Sequence, residues 1–143
     1  SARYEDRWVQ LKPNPNSPCI FTKGLAVHGV LPMPVRHGEG KLVARDAATL
    51  QRLQDENLIA LQYTHPETGE ATQEHPWNPN GSPLAIAGLT DPTGHILGLM
   101  PHPEAFHHAT NHPGWTRGEV AVPGTALFAN AVRYLRENPV NHS

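Results

Sequence analysis

The segment Gly98-Leu99-Met100-Pro101-His102-Pro103-Glu104 carries the most chemistry in the chain. Each proline disfavours helical dihedrals at the residue before it, so Met100 and His102 are predicted extended, and residues two apart in an extended chain point the same way. His102 and Glu104 are therefore expected to project together. An imidazole beside a carboxylate is the base-and-orienter pair of a nucleophilic triad. The carboxylate fixes the ring tautomer and stabilises the imidazolium while the ring exchanges a proton with a nucleophile. The same residues also fit a stiff surface turn with a modest ion pair, because His-x-Glu is a short pattern.

Two other segments can bind polar groups. In His37-Gly38-Glu39-Gly40, glycines on both sides of a carboxylate let the backbone approach a ligand and expose N–H groups that can hold a carboxylate or amide oxygen. A hairpin turn with solvated side chains fits that segment equally well. Asn78-Pro79-Asn80-Gly81-Ser82 is foremost a turn signal, although its amides can also meet polar substrate groups. His107, His108 and His112, near His102, raise the question of a metal. Adjacent histidines diverge on either a helix or a strand, and no Cys or Asp nearby completes a ligand set, so no metal site is expected. Cys19, the single cysteine, lies in Asn16-Ser17-Pro18-Cys19-Ile20-Phe21 and not in a Gly-x-Cys-x-Gly elbow. It reads as a small packing residue, with a role as nucleophile the weaker option.

The elements that must position these residues are legible from periodicity. Arg7–Lys12 alternates as a half-buried strand and stops at a Pro/Asn-rich turn. Gly29–Arg36 is apolar, but Pro32 and Pro34 cannot donate to a ladder, so it is predicted to be an edge or interrupted strand. Asp46–Asn57 spaces Ala47, Leu50 and Leu53 as a helix with Asp46 as its N-cap. Leu58–Tyr63 is a further strand, followed by a polar loop. Leu84–Leu89 and His95–Met100 flank Thr90-Asp91-Pro92-Thr93-Gly94 as a hairpin of two strands too apolar to be half-exposed. Gly124–Asn138 is an amphipathic helix whose stripe of Leu127, Phe128, Ala131, Val132 and Leu135 is predicted to pack on the sheet.

Composition bounds the function. At 143 residues the chain is one domain or part of one, without repeats. Gly (12) and Pro (15) are well above the usual joint share of about 12%, which favours a loop-rich globular chain over a helical bundle. A net charge of −2 and the lack of a basic cluster argue against nucleic acid as a partner. No stretch is apolar enough to span a membrane or serve as a secretory signal, and the lone cysteine precludes an intramolecular disulfide framework. A cytoplasmic location is expected.

Together the motifs resemble a known family. Arg3-Tyr4-Glu5-x-Arg7-Trp8-Val9, Pro34-Val35-Arg36-His37-Gly38-Glu39-Gly40-Lys41, Asn78-Pro79-Asn80-Gly81-Ser82 with Ile86-Ala87-Gly88, and Gly98 to Glu104 occur in that order. They resemble the C-terminal half of the glutaminase, or class I glutamine amidotransferase, subunit or domain of phosphoribosylformylglycinamidine synthase, an enzyme of purine biosynthesis. Departures from the pattern stand at Ala2, Tyr4 and Ala105. The resemblance implies an α/β, flavodoxin-like fold, here the C-terminal portion of one domain over residues 1–143, with a mixed sheet and flanking helices. It also implies a Cys-His-Glu triad in which His102 and Glu104 are the catalytic His and Glu. The nucleophilic cysteine would come from a missing N-terminal half. His37, Gly38 and Glu39, with Asn80, Gly81 and Ser82, map to the rim of the glutamine site and the partner-facing side. The implied partners are glutamine, the synthetase subunit, its small accessory subunit and the missing N-terminal half. No cofactor is implied in this chain, since ATP and Mg²⁺ are used by the synthetase. A non-catalytic scaffold that kept the fold without a nucleophile is the alternative.

Overall fold

A computed structural model describes residues 3–119 and 121–139; the departure at Ala2 lies outside them. Five strands form one sheet in the order β2-β1-β3-β4-β5: β1 Glu5–Pro13, β2 Leu31–His37, β3 Ile59–Thr64, β4 Ile86–Thr90 and β5 Leu97–Leu99. Among the described residues two α-helices accompany it, α1 Ala47–Asp55 between β2 and β3, and α2 Thr125–Glu137 after a long run of loops and short 3-10 turns.

The mixed sheet expected for an α/β domain is antiparallel at every pairing the described residues make. Connectivity explains this. β2 and β3 both pair with β1, so they run in the same direction on either side of it, and α1 carries the crossover between them. β4 and β5 are joined by a tight turn that permits only an antiparallel pair. There Gly94, at φ 77°, fits against the carbonyl of Pro18 and accepts from Ile20 N at 3.0 Å, tying the hairpin to the Cys19 loop.

Alternation along β1 builds the core. Val9 lies opposite Met33, and Leu11 opposite both Leu31 and Tyr63, all of them almost fully buried. On the other face Trp8 stands edge-on to Phe106 and His112, with ring centroids 5.1 and 5.3 Å away. The loop that follows His102 therefore covers that face.

The proline-bearing strand β2 is an edge, as its sequence requires. Pro34 accepts a hydrogen bond from His102 N at 2.8 Å on the side away from β1. A strand residue's N–H and C=O point the same way, so the missing N–H groups of Pro34 and Pro32 also lie on the outer side, and the edge cannot template another strand. Helix α1 starts at Asp46, whose carboxylate accepts from Thr49 N at 2.8 Å. It ends with Asn57 at φ 55°, and Leu58 N reaches back to Leu53 O at 2.9 Å, a Schellman closure.

Two expectations about apolar surface are corrected. β5 is not buried: Leu97 and Leu99 are half-exposed, Ile96 is 68% exposed and Met100 37%, because β5 forms the other edge of the sheet. The predicted stripe of α2 packs on the sheet only in part, through Leu127, which joins the core. Leu127 and Asn130 face inward, the latter donating to the carbonyls of Phe21 and Lys23 at 2.9 Å each, whereas Phe128, Val132 and Leu135 are 47–56% exposed. The two exposed surfaces adjoin, since His95 Nε2 lies 3.0 Å from the Tyr134 hydroxyl. No helix among the described residues is long and apolar enough to cross a membrane.

Candidate functional site

His102 is held by its backbone on one side and its ring on the other. Its amide is pinned to the β2 edge through Pro34 O, and its Nδ1 lies 2.7 Å from Glu104 Oε1. The pairing expected from an extended chain is present, although the local reason differs. The chain bends at Pro103 into a 3-10 turn, Pro103–Ala105, closed by Ala105 N to His102 O at 3.1 Å, and the two side chains meet over that turn. Glu104 feels opposing influences. Partial desolvation raises its carboxyl, and this is outweighed by the hydrogen bond to His102, its own backbone amide, and the charges of His102 and Arg36, which hold it below the ordinary carboxylate range. It stays ionised through the neutral range and accepts a proton-bearing Nδ1. That leaves His102 Nε2 as the nitrogen that can take or give a proton.

The pair itself lines a cleft of about 270 Å³ together with Phe21, Leu97, Leu99, Leu127 and Phe128. Its apolar walls come from β5 and α2, where Leu97, Leu99 and Phe128 are left partly open to solvent. The glycine loop flanks the pair from the other direction. His37 closes β2 opposite Glu5. Its imidazole is pushed down from its ordinary value by burial, partly opposed by a backbone hydrogen bond, with smaller influences from His102 (down) and Glu5 (up). Gly38 and Glu39 are exposed beside it. The structure thus brings His102, Glu104, Arg36 and the 37–40 loop into one neighbourhood.

Asn80, Gly81 and Ser82 are placed differently from one another. Asn80 is half-buried with Nδ2 2.8 Å from His37 Nδ1, Gly81 turns the loop at φ 66°, and Ser82 is fully buried with its hydroxyl accepting from Leu42 N at 3.1 Å. The histidines of the 107–112 segment serve separate local tasks. His108 caps a turn with Thr110 and Asn111, and His112 accepts from Gly114 N while its ring packs on Trp8 and Phe106. Among the described residues no three His, Cys, Asp or Glu side chains are grouped to hold a metal ion. Cys19 is 1% exposed, so its thiol is closed to a substrate.

Sequence reasoning missed three supports of the site. Pro34 anchors His102, Arg36 places a positive charge near Glu104, and Gly124 lets the start of α2 lie against Pro103. Only the proline had a local signal, as an edge-strand marker, and nothing in its own segment points to His102.

An imidazole–carboxylate pair stands just past an edge strand, flanked by a glycine loop, an arrangement that can orient a ring for proton transfer at Nε2. The particular family follows from comparison. The family profile of the CobB/CobQ-like glutamine amidotransferase domain matches residues 1–135, and the chain belongs to that family. Among curated proteins, the phosphoribosylformylglycinamidine synthase subunit PurQ of Methanococcus maripaludis strain C5 is 38% identical over 147 aligned positions, covering 94% of this chain and 53% of that protein. The subunit of the same name from Dehalococcoides mccartyi is 37% identical over 139, covering 96% and 51%. Among solved structures, a chain of PurLQS from Thermotoga maritima superposes with a TM-score of 0.58 at 25% identity, over 94% of this chain and 49% of that one. The chain spans about half the length of the relatives it matches.

Proposed function

We propose that this chain contributes the histidine and the glutamate of a Cys-His-Glu triad in a glutaminase that supplies ammonia for purine biosynthesis, the cysteine being carried by the half that the relatives have and this chain does not span. The observation that carries this reading is the 2.7 Å pair of His102 Nδ1 and Glu104 Oε1, set in the family's domain with Nε2 left to work. The thiolate attacks the side-chain amide carbon of glutamine, and the His102 imidazolium gives its proton to the departing nitrogen, which leaves as ammonia. His102, now neutral, takes a proton from the water that attacks the thioester, and glutamate and the thiol are released. This half-reaction is acid–base and nucleophilic chemistry only and uses no cofactor in the chain. The ammonia passes to a cytoplasmic synthetase with a small accessory subunit, which spends ATP with Mg²⁺ to amidate formylglycinamide ribonucleotide.

The half-buried β5 edge and the outward stripe of α2 support the same reading, because both border the cleft beside His102 and Glu104. The missing half is the occupant that would both cover them and bring a cysteine to His102 Nε2. The polypeptide of residues 1–143 alone is therefore expected to self-associate in sedimentation experiments and to release no glutamate from glutamine, whereas the full-length protein is expected to do the reverse. A monodisperse monomer would remove the structural half of the proposal, and a full-length protein without glutaminase activity would remove the catalytic half.

Glu104→Gln gives a graded test. The amide oxygen can still accept from Nδ1–H, so ring orientation survives while the charge that stabilises the imidazolium is lost. With a carboxylate 62% exposed to solvent, the expected loss in glutamine turnover is about 10- to 100-fold, the scale of one charged hydrogen bond, and steady-state glutamate release measures it. A Glu104→Gln enzyme as inactive as His102→Ala would mean that the carboxylate does more than orient the ring.

A further inference from the structure

The Asn78–Ser82 loop is bound inward. Asn78, 1% exposed, donates its amide to the carbonyls of Thr72 at 3.2 Å and Ser82 at 2.9 Å, and its Oδ1 accepts from Ser82 N at 2.9 Å. Both polar atoms of its side chain are thereby engaged by the segment from Thr72 to Ser82. From this stapled base two contacts reach the glycine loop: Asn80 Nδ2 meets His37 Nδ1 at 2.8 Å, and Ser82 Oγ accepts from Leu42 N at 3.1 Å. They grip the loop at its entrance and its exit. Between them Gly40 lies flat on the His37 ring, so close that a Cβ there would fall 2.1 Å from the ring Cε1.

The protonation of His37 is constrained by the same contacts. An amide N–H can donate to Nδ1 only if that nitrogen is unprotonated, which puts the ring proton on Nε2. Nε2 is buried and has no hydrogen-bond partner. A second proton would turn Nδ1 toward Asn80 as a donor facing a donor, in a ring whose surroundings already disfavour positive charge.

We propose that Asn80 is a positioning residue for the glycine loop: its amide donates to His37 Nδ1, holds the imidazole neutral in the Nε2–H tautomer, and thereby fixes the Gly38–Gly40 backbone as a rigid set of N–H donors for the carboxylate or amide oxygen of an amino-acid ligand. This rests on the glutaminase reading for the identity of the ligand, and on the geometry of the two loops for the clamp. The Asn78–Ser82 loop then acts on substrate binding from behind, with Asn80 and Ser82 touching the loop and not the ligand. Burial and His102 lower the pKa of His37, in keeping with a neutral ring, whereas Glu5 and a backbone hydrogen bond, which a ring N–H must donate and which therefore competes with the Asn80 contact, partly offset them.

The test uses the full-length protein and two variants. Asn80→Ala removes the donor. Asn80→Asp keeps the shape but replaces the donor with an acceptor, so it checks the idea even if the alanine variant folds poorly. The first readout is the ¹⁵N spectrum of the histidine rings, which needs no turnover. Wild type is expected to show His37 as the Nε2–H tautomer at neutral pH, and Asn80→Asp to show it protonated at Nδ1 with a raised pKa. The second readout is kinetic. Asn80→Ala is expected to raise the KM for glutamine about tenfold, the cost of one hydrogen bond, with kcat nearly unchanged. In Asn80→Asp, KM should climb as pH falls through the neutral range, where wild type stays flat. An Nδ1–H tautomer in wild type, or an unchanged KM in both variants, overturns the proposal, as does a loss confined to kcat. If His102→Ala retains full glutaminase activity, the triad reading fails by itself, and the tautomer measurement still decides the clamp.

Discussion

Replacing His102 with alanine in the full-length protein is expected to lower glutamine-dependent turnover by about 10²- to 10⁴-fold, the range that positioned general acid–base groups supply, and to leave synthesis from added ammonia unchanged. The asymmetry follows from where the imidazole acts. Its Nε2 serves proton transfers in the hydrolysis of glutamine, whereas the synthetase receives ammonia already formed. Alanine leaves the backbone anchor intact, because His102 N still donates to Pro34 O, and it opens space on a side already 38% exposed. Folding is therefore little disturbed, and the loss reads chemistry. Paired assays with glutamine and with ammonium salts measure it. Equal loss of both activities would place His102 in the architecture of the assembly and not in the triad. Retention of glutaminase activity would show that another base works there.

How much of this site could be read from the sequence depends on whether a residue's role is local. The His102–Glu104 pair is made within three residues, and its composition suffices to expect it even though the bend at Pro103 was read as an extended chain. The edge position of β2 is equally local, since Pro32 and Pro34 remove ladder donors wherever the strand lies. Asp46 caps α1 for the same kind of reason. The failures all concern what stands opposite a residue. The pattern of α2 marks Phe128, Val132 and Leu135 as apolar, and that is correct, but periodicity is silent on whether the partner of an apolar face belongs to the same stretch of chain. The hairpin strand β5 misled in the same way, being apolar enough for a core and placed at an edge. The segment Asn78–Ser82 reads foremost as a turn whose amides can also meet a ligand, and the side chains of Asn78 and Ser82 spend their hydrogen bonds on its own loop and on Thr72 and Leu42. A run of Asn, Gly and Ser signals a turn without indicating which way its side chains face.

Gly124→Ala is expected to destabilise the fold and to cut glutaminase activity, against the sign that its backbone dihedrals alone predict. Gly124 has an ordinary right-handed backbone, φ −58° and ψ −27°, just before the first residue of α2. At such dihedrals alanine would gain up to about 1 kcal/mol by restricting the unfolded chain. Space decides otherwise. A Cβ at this position would fall 2.2 Å from Pro103 O and 2.6 Å from Pro103 Cα, and both are backbone atoms that cannot rotate aside. Gly124 N also donates to Phe106 O at 2.8 Å, so the helix start is fastened to the turn it would have to leave. Forcing a methyl into such a contact costs about 1–3 kcal/mol, which outweighs the gain from the unfolded chain. The displaced residue is Pro103, the link between His102 and Glu104, and a shift there opens the 2.7 Å pair. Thermal denaturation should therefore show a lowered Tm in Gly124→Ala, together with reduced glutamate release and an unaffected ammonia-dependent reaction. A lowered Tm with full glutaminase activity would show that the triad pair tolerates movement of Pro103. An unchanged Tm would show that the start of α2 slides away from the turn at no cost, and that the close packing of helix and turn does not hold the site in place.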